Sequence, residues 1–150
     1  MLSAAGNAWA DRAGGASGAL WGLALRSWSS ALSDDLPSTP MAIVSGAKLA
    51  VEAIMRLGGA RVGDKTLMDT LVPAREAFQA AVAGGADFSS ALAAMIDAAE
   101  RGWHSTKDLQ ARIGRAARLG ERSIGVLDAG ATSCFLILKT LGTSVQQRLG

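Results

Sequence analysis

The residues best suited to chemistry lie together at 114–133, GRAARLGERSIGVLDAGATS, which holds four glycines, three arginines, an Asp-x-Gly turn and a Thr-Ser pair. Glycine lets a backbone approach a ligand closely, and an Asp turn accepts the unusual dihedrals such a loop needs. Arginine offers a planar fork of donors that matches phosphate. Two further glycine-containing connections, at 14–18 and 58–66, precede or join helices. Loops at the same end of an antiparallel bundle can converge. Their helix N-termini would then present free backbone N–H groups to an anion such as the phosphates of a nucleotide. The same residues also read as C-caps, turns and N-caps, and spacing alone does not choose between the two uses.

Other reactive side chains are isolated. His104 is the single histidine and has no second His or Cys near it in sequence, so neither a metal site nor a general base can be assembled around it. Asp34-Asp35 sits in SDDLPSTP, where adjacent carboxylates read as solvated turn and cap residues. Gly63-Asp64-Lys65-Thr66 carries the last letters of a phosphate-binding P-loop, without the preceding strand or the leading glycine at the required offset. No Ser/His/Asp set or glutamate pair stands out, and no metal ligands are assigned. Cys134 falls in an apolar stripe and reads as a small buried hydrophobe. One cysteine permits no intrachain disulfide, which fits a reducing cytoplasm.

The elements that position these residues read as helices. Residues 1–10 resemble the tail of a helix, with Leu2, Ala5 and Trp9 on one face. In the helix at 19–32, Trp21, Leu25, Trp28 and Leu32 form a stripe. Thr39 and Pro40 open the next, with Val44, Ala47, Val51, Ile54 and Met55 inward, and Gly58-Gly59 ends it. Thr66 caps another, with Asp69 as a capping-box variant. Leu67, Leu71, Ala74, Phe78 and Val82 follow at helical spacing, and Pro73 should kink the rod. Asp87 caps 88–101, whose inward residues are Phe88, Leu92, Met95, Ile96 and Ala99; Ser105 with Asp108 opens a fifth helix running into the glycine- and arginine-rich stretch. The last, 131–149, buries Cys134, Ile137, Leu138, Leu141 and Val145. Tyrosine is absent and β-branched runs are scarce, so the expectation is all-α: about six antiparallel helices in one domain of 150 residues.

A formal charge of +2 from 15 basic and 13 acidic residues, with no lysine-rich run, argues against a nucleic-acid partner. No apolar run reaches the ~18 residues of a membrane span, and no basic n-region opens a signal peptide. The expectation is a soluble cytoplasmic protein.

Three blocks, GGASGAL at 14–20, VGDKTLMDTL with Pro73-Ala74 at 62–74, and GRAxxLGERSIGxxDxGATS at 114–133, resemble the L-type domain of dihydroxyacetone kinases, in that family's order and spacing. The resemblance covers essentially residues 1–150. It implies an antiparallel helical barrel holding ATP or ADP at one end. Family nucleotide contacts carry over to Ala16 and Ser17, to Gly58, Thr66 and Leu67 around the GDKT loop, to Arg115, and to Asp128, Ala129 and Gly130. It also implies a separate K-type domain or subunit that holds the ketose and supplies a substrate-binding histidine, and phosphoryl transfer between the two.

Two departures bear on this. Val126 and Ala129 stand where the family has His and Pro. The family's Gly-Asp-Gly-Asp loop, whose aspartates hold magnesium, precedes its GGASG block and is absent from these 150 residues. The expectation is an N-terminally truncated domain, lacking its first helices and inactive alone. The alternatives are a non-catalytic nucleotide- or partner-binding remnant, or a helical structural protein that self-associates through exposed apolar faces.

Overall fold

The computed structural model describes residues 1–32 and 39–149, and Ser17 by its backbone alone; the Asp34-Asp35 turn lies outside the described residues. All regular structure among the described residues is helical: α1 (Leu2–Arg12), α2 (Gly15–Ser29), α3 (Pro40–Gly58), α4 (Met68–Ala83), α5 (Phe88–Ser105), a 3-10 segment (Arg115–Ser123) and α6 (Ala129–Leu149). They form two compact units, Met1–Gly59 and Ala60–Gly150.

In the first unit, small residues set the helix spacing. A methyl built on Gly22 would stand 2.7 Å from Ala10 Cβ and 2.9 Å from the Gly6 carbonyl oxygen, so α1 and α2 touch through backbone. Gly46 of α3 seats the Trp28 ring of α2. The expected Trp21, Leu25 and Trp28 stripe is consequently only half-buried, and Gly18, Gly22 and Ala24 are the buried residues of α2. In α3, Thr39 Oγ1 accepts the Ala42 N–H at 3.2 Å as N-cap, and Val44, Val51 and Ile54 are buried. Met55 is exposed, against expectation. It lies in the last turn, where the buried face ends at Ile54.

The second unit is built on α4, α5 and α6. α4 runs unbroken through Pro73. Proline has no N–H for the Asp69 carbonyl one turn back, and Gly102 of α5 lies directly against that carbonyl. Phe78 packs edge-on to Phe88 at 5.8 Å. Asp87 caps α5 by accepting the Ser90 N–H at 2.9 Å and the Ser90 hydroxyl at 2.7 Å. Those bonds hold its carboxyl below the usual value. Ala74, Ala99 and Phe135 form a core, with Met95, Ile96, Trp103 and Leu138 packed on it.

Two expectations fail here. Leu141 (59% exposed) and Val145 (37%) of α6 are not buried; Gly142, one residue from Leu141, makes the contact with Ile96. No helix starts at Ser105. That residue closes α5, donating its hydroxyl to the Gly102 carbonyl at 2.7 Å, and the chain then turns. The 3-10 segment is broken at Gly120, with φ 55° and ψ −130°.

Candidate functional site

The GDKT loop owes its shape to one buried carboxylate. Asp69 takes the Gly63 N–H on Oδ1 at 2.5 Å and the Thr66 N–H on Oδ2 at 2.7 Å. Thr66 Oγ1 accepts the Met68 N–H at 3.1 Å. The N-cap position of α4 falls on Leu67, with no side-chain cap bond, so Thr66 does not cap the helix as expected: Asp69 closes back on the Thr66 N–H, but the Thr66 hydroxyl reaches only to Met68.

Lys65 sits inside this loop at φ 60°, the one described non-glycine residue with positive φ, and is 3% exposed. Its Nζ donates to four carbonyl oxygens: Thr106 at 2.7 Å, Leu109 at 3.1 Å, Ser123 at 2.6 Å and Val126 at 2.5 Å. The Ser123 and Val126 carbonyls belong to the glycine- and arginine-rich stretch, and those of Thr106 and Leu109 to the segment where the sequence suggested a helix. A helix would have turned them along its own axis; here they point at the ammonium. Further bonds close the segment. The Arg112 N–H donates to the Asp64 carbonyl at 3.2 Å and the Gly125 N–H to the Lys107 carbonyl at 2.7 Å. The Ala111 N–H donates to Ser123 Oγ at 2.9 Å. An ammonium has three N–H groups, so Lys65 has none to spare for a phosphate.

Asp128 opens α6. Its Oδ2 accepts the Ala131 N–H at 2.8 Å, and its backbone N–H donates to Thr106 Oγ1 at 3.1 Å. Its carbonyl accepts the Thr132 hydroxyl at 2.7 Å, and that hydroxyl oxygen accepts the Trp103 indole N–H at 2.8 Å. Trp103 in turn stacks on Phe135 at 4.7 Å, nearly parallel. The Asp-x-Gly turn, with Ala129 at its centre, is therefore held by side-chain bonds.

The two loops meet. A methyl built on Gly130 would lie 3.0 Å from Asp128 Oδ2 and 3.5 Å from the Leu67 backbone nitrogen. Thr66, Leu67, Asp128, Ala129 and Gly130 are thereby brought together. The N–H groups of Ala129 and Gly130 stand in the first turn of α6, where no intrahelical acceptor exists and the helix dipole favours negative charge. Arg115 is exposed on the arm between the Leu109 and Ser123 anchor points. In the first unit, Ala16 and Ser17 lie in the first turn of α2. Gly58 ends α3 with its Cα facing Leu20, one turn beyond Ala16.

Sequence reasoning missed Lys65, Thr106 and Ser123, whose roles depend on partners 12 to 61 residues away. The only available signal was a lysine in a loop otherwise made of turn formers.

Magnesium, which the resemblance implies for the family, needs carboxylate oxygens free to coordinate. Among the described residues no three His, Cys, Asp or Glu side chains gather. Both oxygens of Asp69 and one of Asp128 already accept backbone N–H groups. These residues do not fit a magnesium site. Among the described residues no helix is long and apolar enough to cross a membrane.

The DAK2 domain model matches residues 1–143. A D-erythrulose kinase of Mycolicibacterium smegmatis is 43% identical over 97% of this chain and 25% of its own length. An L-erythrulose kinase of Pectobacterium atrosepticum is 39% identical over 92% of the chain and 23% of its own length. The ADP-binding subunit DhaL of a PEP-dependent dihydroxyacetone kinase from Listeria innocua is 34% identical over 94% of the chain and 65% of its own. The chain thus spans about a quarter of the erythrulose kinases it matches.

Proposed function

Because this chain belongs to the DAK2 domain family, we propose that it is the nucleotide-holding part of a dihydroxyacetone-kinase-type phosphotransferase. Its ligand is ATP or ADP, and the phosphoryl acceptor is a small ketose held on a separate K-type domain or subunit. The observation that carries this reading is the meeting of the Leu67 backbone nitrogen with the open first turn of α6 at Ala129 and Gly130. Backbone N–H groups at a helix start suit a phosphate without any side-chain charge. The name of the Listeria relative, an ADP-binding subunit, supports the same ligand. Thr66 and Asp128 shape the two turns, and Arg115 supplies an exposed fork for an outer phosphate. Ala16, Ser17 and Gly58 are contacts on the resemblance alone.

Phosphoryl transfer is mostly positioning and charge neutralisation. The described carboxylates of this chain are committed to caps and turns or stand apart. We therefore propose that these 150 residues bind nucleotide without catalysing transfer by themselves. A non-catalytic nucleotide- or partner-binding module is the second reading, and the commitment of Asp69 to the loop backbone favours it.

Calorimetric titration with ADP, with and without magnesium, tests the binding claim; heat of binding that does not require the metal supports it. A coupled assay with a K-type partner, dihydroxyacetone, ATP and magnesium tests the catalytic claim. Turnover there would overturn the inactivity of this chain, and absence of any heat with adenine nucleotides would overturn the binding site.

A further inference from the structure

Four backbone carbonyls around one cationic centre at 2.5–3.1 Å is the arrangement a loop adopts around a bound ion. Here the ion is covalently supplied. We propose that Lys65 is the positioning residue of the nucleotide site: a built-in cation that fixes the 106–126 segment and, through it, the start of α6 against the GDKT loop. The inference rests on the nucleotide reading only for its binding readout.

The geometry places Lys65 between both halves of the site. It is next to Thr66 and two residues from Leu67, while one of its acceptors, Val126, is two residues from Asp128. Another, Thr106, bonds Asp128 directly through its hydroxyl. A third and fourth, Leu109 and Ser123, flank the arm that carries Arg115. The left-handed backbone at Lys65 is a conformation a residue with a Cβ keeps only when its surroundings hold it there. Asp69 does so from one side, bonding Gly63 and Thr66 on either flank. The carbonyls do so from the other. Four inward carbonyls with no cation between them would repel one another and turn to water, so the segment depends on the charge and not on apolar packing; Ala111 is the only buried apolar residue between Thr106 and Ser123.

This makes the role separable from ordinary structural support, because the missing piece can be returned from solution. Lys65→Ala removes the equivalent of n-propylammonium. Lys65→Met keeps the volume and removes the charge. Both variants would be followed by amide hydrogen exchange and by ADP calorimetry, with n-propylammonium or tetramethylammonium added. The expected result is faster exchange across 106–128 with α4 and α5 still protected. ADP affinity falls about tenfold or more, the worth of one charge-assisted bond. For Lys65→Ala, propylammonium restores both; tetramethylammonium, which has no N–H, restores neither. Exchange and affinity of Lys65→Met indistinguishable from the parent would overturn the inference, as would failure of propylammonium to slow exchange in a Lys65→Ala protein whose α4 and α5 remain protected. If Lys65→Ala does not fold, the Lys65→Met exchange pattern decides alone: loosening confined to 106–128 supports the role and a uniform change overturns it. If the parent protein shows no affinity for ADP, the nucleotide reading fails while the exchange measurements still decide what Lys65 does.

Discussion

Replacing Gly102 by alanine should be among the most damaging single-methyl additions to the second unit. Gly102 faces α4 where Pro73 leaves the Asp69 carbonyl without a helical donor. The new methyl would fall on that carbonyl oxygen, and would lie 3.1 Å from its carbon and 3.2 Å from Thr70 Cα. These are backbone atoms of the first turn of α4, packed against the last turn of α5, and cannot swing aside. Restoring an ordinary C···O separation moves the helices apart by about 1 Å, since such contacts sit near 3.3–3.6 Å. A gap of that size forfeits about a quarter to a half of each dispersion contact along the seam, and overpacking of this kind costs about 1–3 kcal/mol or more. Alanine returns about 1 kcal/mol through helix propensity and a less flexible unfolded chain. Backbone-on-backbone overlap puts the cost at the upper end of the overpacking range, so the net expectation is a loss of about 2 kcal/mol. Gly142→Ala is the control: its methyl meets Ile96 Cδ1 at 2.8 Å, Ile96 Cγ1 at 3.2 Å and Met95 Cε at 3.4 Å, all atoms of flexible side chains and none of backbone, and the propensity gain should nearly cancel the repacking. Urea unfolding at constant m-value measures both. Asp69 also shapes the GDKT loop, so Gly102→Ala should speed amide exchange at Gly63 and Thr66 before the helices open. A Gly102→Ala protein within about 0.5 kcal/mol of the parent, or one matched by Gly142→Ala, would refute the close-contact reasoning.

Asp128→Ala should lower stability by about 1 kcal/mol, the usual worth of an N-cap, whereas Asp128→Asn should stay within a few tenths; urea midpoints separate the two. Burial pushes the Cys134 thiol up to about 12 from 9.0. The sign follows from which state ionises first: below pH 9 both states keep the proton, and between 9 and 12 only the unfolded chain releases it. Cys134 should therefore lower stability by about 1.4 kcal/mol per pH unit across that window, and Cys134→Ala should flatten the alkaline limb of a stability–pH curve. A disulfide-exchange reagent at pH 8 should leave the folded protein unlabelled and react once denaturant is added.

Much of the architecture was legible because local chemistry set it. Thr39 and Asp87 start α3 and α5 where their side chains accept N–H groups three residues on, and Gly59 ends α3 in the left-handed conformation. The segment after α5 was not legible. Ser105 and Asp108 look like an opening cap, but the backbone there answers to Lys65, 41 to 61 residues earlier in the chain. Apolar periodicity also named the wrong face in places. Leu141 and Val145 continue the stripe of Cys134 and Leu138 yet stand exposed, since a period marks an apolar face without saying how far the covering helix extends. At the candidate site, the Asp-x-Gly turn and the GDKT loop were recognisable as turns. What the sequence could not show is that Gly130 lets the Leu67 nitrogen approach the start of α6, a relation between loops more than sixty residues apart.

The central claim is tested most directly by titrating isotope-labelled protein with ADP and following backbone amide resonances. The account predicts saturable shifts at Leu67, Ala129 and Gly130, larger than those of the α5 helix. Saturable binding that leaves these three amides unmoved, or no binding at all, would contradict it.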